Sequence, residues 1–513
     1  MKTNLTSFPI GNRTALCTRF FFFLMIPLLG ITLLSGCQNA GSNGGDEEAT
    51  EVEESDSLTT LANSFVLYPP HDVNSTDPSK LELAFFAWRE FFALNWQSDW
   101  NSSSKSRGNP DANWNYKQPG PFPSQPLVWE TYAHRTELSP ASAIPTKAFN
   151  SDPAYSFFKG NYSGMQGGST YFNCLDEDNE IGSCYLFSFQ TPDSLMVMYQ
   201  AKANAAEYNY LMSYGDSASL GNAINATKSN IQNNKYYYPA NPKDNCDCPE
   251  GVFCLPCGEA SGGEGAIEVK TAWREPTAND NLNDYFHREV IYFEPGPNGT
   301  HTLKTGTFLL IGMHIIHKTA NMPEFIFATW EHNSVTEASQ DYHYITIAGD
   351  PDAAPGTVKE VTRIHPVDNF YYQTSTDAVH DALRELNSES VWLNYNLVGV
   401  QAQLANYDNR NDVSSYFLAN FVIESDVQLG DFHGTFADPQ DTTGTEVNVL
   451  KVSENQFYTM GGCKGCHGRA QYSGSDFSFL VGSGNSEPDD YYEKFETIKK
   501  LVTPKAKATS AKK

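Results

Sequence analysis

The stretch "YTMGGCKGCHGRA" constrains this chain most, because it places Cys463-Lys464-Gly465-Cys466-His467 only 46 residues before the end of 513. A Cys-x-x-Cys-His run has a mechanism: two thiols add to the vinyl groups of a haem, and the adjacent imidazole reaches the iron from one side. Cys463 and Cys466 are therefore predicted to attach one haem c, with His467 as the proximal iron ligand. The competing reading is a zinc or redox Cys-x-x-Cys with an incidental histidine. No Met or His follows His467. A distal ligand must come from upstream or be absent. The remaining 46 residues are too few to enclose the group as a separate globular domain. The upstream body is expected to supply the other wall.

One upstream segment concentrates iron-ligand types. "GMHIIHKTANMPEFIFATWEH" carries Met313, His314, His317, Met322 and His332. On a strand His314 and His317 point to opposite faces; on a helix they share one. The distal candidates are His314, His317, His332 and Met460, although Met460 lies so close to Cys463 that crossing to the far side is awkward. His365 and His433 are lesser candidates. The plainer alternative makes each of these a structural histidine satisfied by backbone carbonyls.

The N-terminus points to export. Lys2, Arg13 and Arg19 precede the apolar run "FFFFLMIPLLGITLL", which is short for a membrane span and suits a signal peptide over 1–36. It ends in Leu34-Ser35-Gly36-Cys37, which resembles a bacterial lipobox and implies cleavage before Cys37 and lipidation of its sulfur. Loss of the three cations leaves 31 positive against 61 negative side chains, a net charge of −30. Such a surface argues against a nucleic-acid partner, which needs a basic footprint. It suits a self-repelling body held at a membrane by acyl chains. Residues 37–64 read as an acidic tether, with almost no apolar residues over 38–60, and 501–513 as a basic tail. The expected location is a cell-envelope lipoprotein of the outer membrane, facing the periplasm or the outside.

Cysteine usage agrees with an oxidising compartment. Cys246, Cys248, Cys254 and Cys257 cluster in "CDCPEGVFCLPC", read first as two disulfides and second as a tetrahedral zinc site. Gly258 stands where a second haem motif would need histidine. Cys174 and Cys184 flank the acidic loop "CLDEDNEIGSC" and could form a further disulfide.

The expected fold is α+β: a β-rich body with packed helices over 65–400 and a C-terminal haem c-bearing segment over 401–500. Asp77 and Pro78 read as the start of a helix in which Leu81, Phe85, Trp88 and Phe92 recur at helical spacing. Residues 100–240 are rich in turn formers, with a short helix at "AEYNYLMSYG". "GAIEVKTAW", "REVIYFEP", "HTLKTGTFLLIGMHII", "EFIFATWEH" and "DYHYITIAG" read as strands. A helix with Thr376 as its cap, and Ala378, Leu383 and Leu386 facing inward, is predicted at "TDAVHDALRELN". No P-loop, dinucleotide fingerprint, nucleophile elbow or HExxH motif is present.

Several segments resemble a family of large exported bacterial proteins with a c-type cytochrome domain. They are "FAWREFFALNW", "VWETYAHRTEL", "AIEVKTAW", the block from Ile311 to His332, "NYNLVGVQ", "LANFVIES" and "CKGCHGRA" with "DFSFLV". The resemblance spans almost the whole mature chain and implies haem c and an envelope location. It singles out His317, Lys318 and His332 as candidate site residues; the four-cysteine cluster is outside it. Two functions fit. The first is mono-haem electron transfer to a redox partner protein, with a six-coordinate iron. The second is a haem c peroxidase or oxidase with an open distal site built from the 314–332 histidines.

Overall fold

Aromatic side chains decide the place of the first helix. Helix α1 (Lys80–Leu94) buries Trp88, Phe91 and Phe92 completely. It starts two residues after the Asp77–Pro78 start read from sequence. Ser79 caps it through a 3.1 Å bond from the Glu82 backbone N–H to Ser79 Oγ, since a serine with an acid three residues on is the stronger signal. The computed structural model describes most of residues 64–140, 148–155, 172–232, 251–360 and 369–402, and parts of 420–423, 449–459 and 463–481. The signal peptide, the lipobox and most of the tether lie outside the described residues. The described residues all belong to one compact unit, Val52–Lys513.

α1 packs on a seven-stranded antiparallel sheet. Its strands are β1 (Ala133–His134), β2 (Met198–Ala203), β3 (Ile267–Arg274), β4 (His287–Pro295), β5 (His301–His317), β6 (Ile326–His332) and β7 (Tyr395–Gln401). The order is β1-β2-β3-β5-β6-β7, and β4 pairs with the first half of β5. That first half, "HTLKTGT", is largely exposed, whereas "FLLIGMHIIH" is buried between β3 and β6. A strand covered on both faces needs a continuous apolar run rather than alternation, as this sequence shows. Trp88 meets Trp330 of β6 edge-on at 6.0 Å. The strands read from sequence are all present, and the fold is α+β.

Among the described residues four α-helices surround or flank the sheet. α2 (Ala205–Ser213) is the expected short helix, capped by Asn204. α3 (Ser217–Gln232) was not foreseen, because "SASLGNAINATKSNIQ" has few apolar residues to reveal a period. α4 (Thr374–Leu386) follows a π-helical turn at Asn369–Gln373, so Thr376 is a buried residue within the helix rather than its cap. Leu383 is buried as expected, with Val379 beside it. A second, four-stranded sheet joins Ser183–Phe187, Leu195–Met196, Tyr342–Thr346 and Val358–Glu360. Among the described residues no helix is long and apolar enough to cross a membrane.

Candidate functional site

Alternation along β5 sorts the ligand candidates onto two faces. Met313 and His317 face α1: Asn95 Nδ2 lies 3.8 Å from Met313 Sδ, and His317 Nδ1 lies 2.8 Å from Glu90 Oε1. Gly312 and His314 face the other way. A Cβ on Gly312 would come within 2.7 Å of Val422 Cγ2, so this face admits no side chain there. His314 meets the ring of His467, with ring centres 5.9 Å apart and planes tilted by 31°. The C-terminal motif thus packs on the sheet face opposite α1.

Cys463, His467, Ala470 and Gln471 are helical. Their spacing of three and four residues places them on one side of that turn. Cys463 is buried, and the His467 ring lies between Phe327 and Phe479, each 5.0 Å away. Part of His467 keeps some surface, but its ring nitrogens sit among these groups. Burial first, then the neighbouring His314, pushes its pKa down to about 3. The imidazole is neutral at physiological pH.

The turn after this helix orients the ring. His467 Nδ1 lies 2.6 Å from the Phe477 carbonyl oxygen, to which it donates as the Nδ1–H tautomer. Asp476 and Phe477 both take left-handed backbone angles, φ 54° and 64°, and so turn that carbonyl back toward the ring. Ser475 Oγ bonds the Ala470 and Ser478 carbonyls. Asp476 Oδ2 accepts the Leu255 N–H at 2.7 Å and the Lys318 ammonium at 2.5 Å. Lys318, buried at the end of β5, therefore anchors the C-terminal turn to the body. Burial lowers its pKa, against the pull of Asp476. Gly265 is required beside it, since a Cβ there would lie 1.8 Å from the Lys318 carbonyl oxygen.

These residues fit a haem. A metal-bound imidazole usually donates its second nitrogen to a backbone carbonyl, which leaves Nε2 for the metal. His467 has that arrangement. A haem held there would draw on His467, and His314, whose ring centre lies 5.9 Å away, would be the second imidazole within reach.

The structure brings together His314 and His467, and not His317 or His332. His317 is on the α1 face, paired with Glu90, and both are fully buried. His332 stacks on Tyr285 at 4.0 Å, and its nitrogens lie 2.8 Å from Ser334 Oγ and 3.0 Å from the Asp284 carbonyl. Both ring nitrogens are occupied, and neither faces the C-terminal turn. Met322 is buried in the turn between β5 and β6. Met460, Cys466, His365 and His433 lie outside the described residues.

Cys254 and Cys257 are disulfide-bonded, so neither offers a thiolate to zinc; Cys246 and Cys248 lie outside the described residues. Cys174 is a free, buried thiol, which corrects the expected Cys174–Cys184 bridge. Its backbone bridges Ile291 of the large sheet, whereas Cys184 pairs with Ile345 of the small one, so the two strands diverge after the acidic loop.

No family model, curated protein or solved structure matches this chain. Sequence reasoning missed Phe327, Asp476 and the Phe477 carbonyl. The "SGSDFSF" stretch carries no signal for them beyond its turn formers.

His332 also yields a stability prediction. Burial lowers its pKa from 6.5 to about 4. Its contribution is complete above the unfolded value and is lost as pH falls toward the folded one. Across that window the unfolding free energy of a His332→Gln variant should depend less steeply on pH, by up to one proton, roughly 1.4 kcal/mol per pH unit. Denaturant titrations at several pH values measure both slopes, and equal slopes would contradict the assignment.

Proposed function

We propose that this chain is an exported, lipid-anchored c-type haem protein that transfers single electrons at the cell envelope. Cys463 and Cys466 hold one haem c, His467 is the proximal ligand and His314 the distal one. The observation that carries this reading is the placement of His314 against His467, on the sheet face that receives the C-terminal motif. The resemblance to exported proteins with a c-type cytochrome domain supports it, as does the lipobox-like Leu34–Cys37. When bound, haem c supplies a one-electron iron couple.

The chain's own residues do the remaining work. The Phe477 carbonyl fixes the His467 tautomer, and the Lys318–Asp476 pair holds the turn that presents that carbonyl. Phe327, fully buried, and Phe479, 49% exposed, lie against the ring. The peroxidase reading needs an open distal position, and His314 stands where that opening would be.

Optical spectra of the purified protein test this. The reduced wild type is expected to ignore carbon monoxide, and His314→Ala is expected to bind it with a shifted spectrum. A wild-type spectrum that shifts with carbon monoxide would return the peroxidase reading. Identical spectra of wild type and His314→Ala would remove His314 from the iron.

A further inference from the structure

Beside the His467 turn lies a pair of acids that haem attachment does not use. Glu207, in the first turn of α2, is 0% exposed, and Glu268 of β3 is 7% exposed. Glu268 stands opposite Ile316 in register, one alternation from His314, and so on the same sheet face. The two carboxyls interact directly, and Glu268 also meets the hydroxyl of Ser478. Ser478 follows Phe477, the residue whose carbonyl accepts from His467.

A carboxyl–carboxyl hydrogen bond needs a proton. Among the described residues no N–H or hydroxyl donor reaches either Glu207 oxygen. The contact with Glu268 therefore closes only when one of the two acids is protonated. The surroundings enforce this. Asp476, on the C-terminal turn, is a third acid acting on both. The Lys318 ammonium is committed to Asp476. Lys270, two residues along β3 on the same face, lies over the Tyr199 ring. Tyr210 of α2 also feels Asp476, and its hydroxyl oxygen accepts the Cys254 N–H at 2.9 Å. Burial first, then the partner acid, pushes Glu207 well up; burial brings Glu268 up to about 7.

We infer that the Glu207–Glu268 pair is a proton-binding site that fills when an electron reaches a haem held by His467 and His314, so that the protein carries a proton with each electron. This rests on the electron-transfer reading above. The balance is simple. An external one-electron donor converts ferric to ferrous iron, and one proton from water forms an O–H bond on the pair. No other bond changes. Reduction removes one positive charge from the site, which weakens its hold on a nearby carboxylate anion and favours the protonated form. The sign follows: the reduction potential falls as pH rises through the range where the pair titrates.

Spectroelectrochemistry of the full holoprotein across pH 5 to 9 tests the inference. One proton per electron is a tenfold change in equilibrium per pH unit, a slope of up to about 59 mV. The wild type should show this fall around neutral pH, and Glu268→Gln and Glu207→Gln should flatten it. The infrared difference spectrum of the wild type, reduced minus oxidised, should gain a protonated-carboxyl band that Glu268→Gln lacks, so the test does not depend on a variant's folding alone. A flat wild-type potential with no such band would overturn the proton site. So would a slope that survives in both variants. A pyridine haemochrome spectrum of the same sample separates the two readings: haem present with a flat potential removes only the proton site, whereas absence of haem c removes the electron carrier and the proton site together.

Discussion

Replacing Lys318 with methionine is expected to lower the unfolding free energy by about 3–5 kcal/mol, because it strands a buried carboxylate. Lys318 and Asp476 both have fully buried side chains, with Nζ 2.5 Å from Oδ2. Methionine matches the stem and removes the ammonium. Asp476 would keep the Leu255 N–H, at 2.7 Å. A neutral donor does not replace a cation for a charge removed from water. The double variant Lys318→Met/Asp476→Leu should recover much of the loss, since deleting both partners leaves no orphaned charge. A denaturant double-mutant cycle measures the coupling. If Lys318→Met costs less than about 0.5 kcal/mol, the pair does not anchor the C-terminal turn. If it does anchor it, the single variant should also lose the defined surroundings of His467, visible as an altered haem spectrum.

The second large effect is all-or-none. A Cys463→Ala/Cys466→Ala variant is expected to carry no covalent haem when exported alongside a haem-attachment machinery, whereas the wild type should carry one. Denaturing gels stained for haem, with intact-mass measurement, read the result directly. His467→Ala should keep covalent attachment and lose the proximal ligand, because the thiols and the imidazole do separate jobs. A wild type that never acquires haem would leave the buried Cys463 unattached to haem and return the motif to the zinc or redox reading.

Much of the scaffold was legible because its signals are local. The aromatic spacing of Phe85, Trp88 and Phe92 reveals a helix, and the apolar run from Phe308 to His317 reveals a doubly covered strand. Start signals were less sharp. Ser79 won over Asp77 because only Ser79 has an acid three residues on and a helix-entry backbone, with ψ 158°. Cys174 and Cys184 looked like partners from their spacing alone, yet each is drawn into a different sheet. Spacing in sequence carries no information about which sheet edge a strand joins.

The sequence by itself pointed to the chemistry proposed for the C-terminus, since a Cys-x-x-Cys-His spacing is a local geometric requirement for haem attachment. It also determined that His314 and His317 would part company on a strand. Only the tertiary structure decided which of them meets His467. That choice depends on which sheet face α1 covers and which is left for the C-terminal turn, a matter of packing between elements more than 100 residues apart. The same holds for Glu207 and Glu268. Sixty-one residues separate them in sequence, and neither has a local pattern that marks it. Their shared environment exists only because α2 folds over β3 and the C-terminal turn brings Asp476 to both and Ser478 to Glu268.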